Sequence, residues 1–296
     1  MDEDDEARSA ERSKAERENT EREIADGDPA LTRKERSQAS DNRRLSALTV
    51  FAIIRREGEE ELRRPLASLW WSGIAAGIGI STSVFAQGLL YQALDGHPQR
   101  ALLASLGYTF GFALVILSRL QLFTENTLSV VLPILSEPSG EKVRCAARLW
   151  SIVLLANFIG TFATALCITL VAGHGPGSHY AAMLEVSHHA ARSSGLDALV
   201  LGIPAGFFIA ALVWMLPSSK GFELLVIVMF SWLIAAGGFA HIVAGSTEMF
   251  LLMLAGEMSV TAGIFGHLVP IFAGNVIGGT GLFAMLAYAQ IHEELR

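Results

Sequence analysis

Charge is what most of this sequence lacks. Residues 1–65 hold 14 of the 22 Lys+Arg and 18 of the 29 Asp+Glu, which leaves 8 basic and 11 acidic side chains for the other 231 residues. A soluble domain carries about a quarter charged residues, so the long remainder is read as a membrane domain. The net charge of −7 comes from a tail in which both signs are mixed, and this argues against a nucleic-acid partner. Cysteine is also scarce: Cys145 and Cys167 build no disulfide framework, and neither has zinc-ligand spacing. The first 40 residues lack an apolar core, so no secretory signal is expected there. No nucleophile–base pair, phosphate loop or dinucleotide fingerprint stands in a suitable strand–helix context. The sequence therefore points away from an enzyme and implies no cofactor.

What is present divides into three parts. Residues 1–42 are rich in Glu, Arg, Lys and Asp and cannot bury enough surface to offset ordering, so a disordered cytoplasmic tail is expected. Residues 43–65 place Leu45, Leu48, Val50, Phe51 and Ile54 mostly on one face of an amphipathic helix. That helix lies on the membrane surface or packs on the cytoplasmic side of the domain. Residues 66–292 form the membrane domain, with apolar segments at 66–94, 101–135, 146–173, 196–217, 222–256 and 262–291. A span needs about 20 residues. Segments 101–135 and 222–256, at 35 residues each, are too long for one straight crossing and too short for two. Broken helices fit both.

Basic residues gather before the first span (Arg55, Arg56, Arg63, Arg64), in link 136–148 (Lys142, Arg144, Arg148) and in link 217–221 (Lys220). Six spans with both termini cytoplasmic follow. The halves echo each other: GIAAG (73–77) matches GIPAG (202–206), and ANFIG (156–160) matches GNVIG (274–278). Asn157 and Asn275 are 118 residues apart; Thr124 and His241, one in each break, are 117 apart. Three spans per half give opposite orientation, so the expected fold is all-α, with two inverted three-helix repeats and broken helices 2 and 5. Irregular backbone at that depth is tolerated only where it lines a cavity or is buried in protein.

The stretches LFT (122–124), GFAH (238–241) and GNVIGG (274–279), each in its expected span, resemble the formate/nitrite transporter family over about residues 45–292. The resemblance implies an aquaporin-like protomer with its own pore, assembled as a homopentamer in a bacterial inner membrane. It implies transport of a small monovalent anion or its conjugate acid, such as formate, nitrite, lactate or hydrosulfide. Leu122, Phe123 and Thr124 take the second-span loop positions and His241 the central histidine, while Tyr108, Phe112 and Ile234 fall at apolar constrictions. The chain departs from the family at several points. Ala190 and Gly206 stand where a lysine and an asparagine are usual, Gln121 and Ala240 where acids are, and Arg119 where a small residue is.

Three groups of residues carry the functional expectations. His241, a histidine in hydrocarbon, is expected to face the pore opposite Thr124 and exchange a proton with the passing solute. Arg119 is either an anion attractor in place of the missing lysine or a buried ion pair with Glu125 or Glu248 that bridges the breaks. Asn157 and Asn275 are expected to hydrogen-bond the broken-loop backbone across the repeat axis. His174, His179, His188 and His189 share one outer loop, read as solvated rather than metal-binding. Two other readings stay open: a neutral-solute channel, although neither break holds an Asn-Pro-Ala motif, and a membrane scaffold that docks a partner through the charged N-terminus.

Overall fold

A computed structural model describes residues 45–171 and 178–295, and all of the described residues in regular structure are helical. The expected disordered tail 1–42 and His174 lie outside the described residues. The first of the described helices, α1 (Ala47–Arg63), starts at Ser46, whose side chain accepts the Thr49 N–H in an N-cap. Its apolar face of Val50, Phe51, Ile54 and Leu62 is buried in the protein core. Of the two readings for this segment, packing on the domain is the one realised.

The spans follow in order. α2 (Leu66–Ala93) and α3 (Arg100–Leu117) form a first antiparallel pair. The chain then breaks over residues 118–125 and resumes in two short pieces, α4 (Asn126–Ser129) and α5 (Leu132–Ser136). α6 (Gly140–Val171) is the third span. The second half repeats this with α8 (Leu196–Met215), α9 (Glu223–Ala236), a break over 237–241, α10 (Ile242–Leu254) and the long α11 (Ala262–Ile291). Among the described residues five helices are individually long and apolar enough to cross a membrane, and α9 with α10 make up the broken fifth span. Many large apolar side chains point outward, among them Trp71, Phe110, Leu170, Leu196 and Phe265. An apolar perimeter over a polar-studded interior suits lipid as solvent.

Between the halves lies α7 (His179–Ala190), capped by Ser178 and packed on α2 and α10. Here the expectation of a histidine loop is corrected to a helix, although His179, His188 and His189 are exposed as expected. Tyr180, Met183 and Val186 recur at helical spacing and are buried, so His188 and His189 close a packed helix.

The repeat is held by two matching contacts. α2 meets α6 where Gly77 lies against the Asn157 carbonyl, and α8 meets α11 where Gly206 lies against the Asn275 carbonyl. A methyl group at either glycine would fall well inside van der Waals contact distance of that oxygen. Small residues thus let the backbones approach, the usual device for helix contact where lipid gives no hydrophobic drive.

Candidate functional site: two breaks and a central hydrogen bond

Each break begins with the same helix ending. In the first, Arg119 has φ 52°, and the Leu120 N–H reaches back to the Val115 carbonyl. In the second, Gly238 has φ 65°, and the Phe239 N–H reaches the Ile234 carbonyl. Both are left-handed C-terminal caps, a conformation that costs any residue but glycine about 1–2 kcal/mol. The two caps are 119 residues apart. In that register His241 corresponds to Leu122, and Thr124 is the partner of His241 by contact rather than by symmetry.

Asn157 and Asn275 then hold the loops. Asn157 accepts from the Phe123 N–H at 3.0 Å and donates to the carbonyls of Gly73 and Gln121, each at 2.8 Å. Asn275 accepts from the Ile242 N–H at 2.9 Å and donates to Gly202 at 2.9 Å and Ala240 at 2.8 Å. Each side chain satisfies two backbone groups that the break would otherwise strand in a dry interior, and ties them to a carbonyl of a continuous helix, Gly73 in α2 or Gly202 in α8. The expected loop support is thus found within each repeat; it does not cross the axis, because each loop folds back beside the third span of its own half.

The breaks meet at one bond. His241 Nε2 lies 2.7 Å from Thr124 Oγ1, with both residues essentially inaccessible to solvent. His241 is also the N-cap of α10, where its Nδ1 accepts the Ala244 N–H at 3.2 Å. A backbone N–H can only donate, so Nδ1 is bare, and the neutral ring carries its proton on Nε2 and donates it to Thr124. A second proton on Nδ1 would displace the cap. The ring of Phe112 stands edge-on to the imidazole with centroids 5.0 Å apart, and Tyr108 packs on Phe112 at 5.3 Å. Leu122, Phe123 and Ile234 are fully buried, with Phe123 between Trp150 and Phe272.

Two cavities flank this plug. The first break lines one of about 490 Å³ at the α1 end, through Arg119, Gln121 and Glu125, facing Glu57, Glu61 and Lys220. The second break lines one of about 140 Å³ at the α7 end, through Gly238, Ala240 and His241, with Tyr108, His189 and Glu248 in its walls. Thr124, Leu122, Phe123, Phe112 and Ile234 border neither cavity and form the closed section between them.

The expected buried bridge is not formed. Arg119 pairs with Glu57 of α1 at 2.9 Å, and its side chain is 80% exposed. The left-handed backbone turns that side chain out of the protein, so it meets neither Glu125 nor Glu248. Glu125 leaves Oε1 buried without a partner. Gln121 is a tie: its amide donates to Glu61 and accepts from Asn126. Two further contacts escaped the sequence reading, Ser81 with Thr247 and Thr161 with Ser246, both at 2.9 Å and both fastening α10.

Comparison with known proteins agrees with this architecture. The family model described as formate/nitrite transporter matches residues 48–289. The chain belongs to the formate/nitrite transporter family. Inner membrane protein YfdC of Escherichia coli (strain K12) is 37% identical over 84% of this chain and 80% of that protein. A formate-nitrite transporter of Plasmodium malariae is 28% identical over 72% of each chain. The solved structure of a pentameric formate channel with formate bound superposes with a TM-score of 0.66 at 21% identity, covering 77% of this chain and 98% of that one. As a family member, the chain carries its Thr–His contact inside an aquaporin-like fold, with two carboxyls, Glu125 and Glu248, one beside each cavity.

Proposed function

We propose that this chain is a channel-like, proton-coupled transporter of a small monovalent anion or its conjugate acid. It acts as a homopentamer with one pore per protomer, in a bacterial inner membrane with both termini cytoplasmic. The observation that carries this is the Thr124–His241 hydrogen bond, which closes the gap between two opposed cavities. A solute with an oxygen acceptor can take the place of Thr124 Oγ1 on the imidazole N–H. The N-terminus of α10 points at the same spot and favours negative charge there. The cap bond at Nδ1 shifts the role of His241 from the titrating group expected of it toward that of a fixed donor.

The α1-end cavity supports the conjugate acid as the crossing species. Glu57, Glu61, Glu125 and Glu223 outnumber Arg119 and Lys220 there, and such a mouth disfavours a bare anion. The aromatic and aliphatic section between the cavities penalises charge still more strongly. Relatives named as formate channels and formate-nitrite transporters are consistent with this solute class.

Flux into proteoliposomes tests the reading, with formate, acetate, lactate, nitrite and hydrosulfide offered in turn and water as control. Uptake of at least one weak acid, altered by Thr124→Val, is the expected result. Passage of glycerol or urea with no weak-acid flux would identify a neutral-solute channel. For orientation, single cysteines at positions 140 and 178 should label from opposite sides, the first from the cytoplasm.

A further inference from the structure

Glu248 stands two helical turns beyond His241, on the same face of α10 and roughly 10 Å further along the axis. It is 5% exposed and lines the 140 Å³ chamber, and among the described residues it makes no hydrogen bond or ion pair. Gly245, one turn closer to His241, adds no side chain to cover it, so the carboxyl faces the same space as the imidazole. The rest of that wall is largely apolar, including Ala198, Leu201, Met249 and Ile271. The titratable groups that share the chamber are Tyr108 from α3, His189 from α7 and His241 itself, and none is bonded to Glu248.

An ionised carboxylate here would be an uncompensated charge in an apolar wall, and it would also repel an arriving anion. Both difficulties vanish if the side chain is a carboxylic acid that donates its proton. We propose that Glu248 is the proton-exchange group of the α7-end chamber, handing a proton to an incoming weak-acid anion so that the solute reaches His241 neutral. This rests on the transport reading above and names where its proton is exchanged. In the step, the O–H bond of Glu248 breaks and its electron pair stays on the carboxylate, while a new O–H bond forms on the solute. One negative charge passes from solute to protein. Water at the mouth of the chamber then returns a proton to Glu248. Solute arriving from the other side as the neutral acid runs the same exchange backwards.

The test compares the full-length protein with Glu248→Gln, which keeps size and hydrogen bonding but carries no exchangeable acid proton. Both are first shown to form the same oligomer in detergent; should Glu248→Gln fail to assemble, Glu248→Met takes its place. Infrared difference spectra at neutral pH should show a protonated carboxyl band in the parent protein that the variant lacks. A carboxylate band instead overturns the proposal, whatever solute the protein moves. In proteoliposomes, labelled formate uptake at external pH about 7 should fall roughly tenfold or more in the variant. The deficit should narrow as external pH falls towards about 5, where bulk water supplies more of the acid already protonated. Glu248→Asp should keep the parent profile at reduced rate. A variant that tracks the parent at every pH overturns the assignment of Glu248. A parent protein that moves no weak acid fails the transport reading, and the infrared arm then decides Glu248 by itself.

Discussion

The two breaks share a hydrogen-bond plan and differ in what surrounds it. Each starts with a left-handed cap and is bound by an asparagine through three bonds. The first spans eight residues and leads only into short helical pieces. Side chains of α2 and of α1 tie it further, Ser72 to the Gln121 N–H and Glu61 to the Gln121 amide. The second spans five residues and leads into a 13-residue helix whose first turn is capped by His241 itself. One break is therefore a loop held by side chains, the other a helix start at the central hydrogen bond. The same scaffold delivers a wide charged vestibule on one side and a small apolar chamber with one acid on the other.

The largest expected effect comes from the asparagines. Asn275→Ala strands the Ile242 N–H and the Ala240 carbonyl, removes a third bond to α8, and should cost about 3 kcal/mol or more, read as a lowered melting temperature in detergent. Asn157→Ala should cost less, since Ser72 and Glu61 still hold its loop; equal losses would show that those ties are idle. Next are Gly206→Ala and Gly77→Ala, each forcing a methyl group onto a backbone carbonyl. Overpacking of this kind costs about 1–3 kcal/mol, and a shift at one site only would break the equivalence of the halves.

Smaller effects separate the two partners of the central bond. Thr124→Val removes one hydrogen bond, about 1 kcal/mol. His241→Ala removes that bond and the cap on Ala244, so it should cost about twice as much; equal melting shifts would mean that the cap contributes nothing. The smallest effect should be Arg119→Gly. It loses an exposed ion pair with Glu57, about 0–1 kcal/mol, and relieves a left-handed arginine of about 1–2 kcal/mol, so the two offset to within about 1 kcal/mol. Gly238→Ala, the same exchange in reverse at the other break, should destabilise by about 1 kcal/mol. A large loss in Arg119→Gly would restore a structural role to that arginine.

Much of this comparison could be read from residues alone. Over-long apolar segments announce breaks by arithmetic, and GIAAG, GIPAG, ANFIG and GNVIG mark backbones that touch, because only small residues permit it. Thr124, His241 and the asparagines stood out as polar groups in hydrocarbon. Other features depend on angles that composition does not carry. The direction of Arg119 follows from a left-handed φ, and an arginine gives no sign of that in sequence. The threonine and serine contacts on α10 were invisible because a hydroxyl in a helix ordinarily bonds its own backbone. The histidines around α7 drew attention away from the buried Tyr180, Met183 and Val186 that make it a helix.

The seat of α1 carries a consequence for how the chain is assembled. Gly58 presses against the Ser129 carbonyl and Pro133, and Phe51 packs its ring against Tyr288 at 6.0 Å. Everything that α1 rests on, in α4, α5, α6, α8 and α11, is synthesised after it. During biosynthesis the helix therefore cannot complete its seat until the spans have been made, and the Tyr288 side of its groove arrives last. The first of the described helices is among the last to be seated, so a ribosome-bound chain truncated before Tyr288 should leave α1 open to protease while the finished protein shields it.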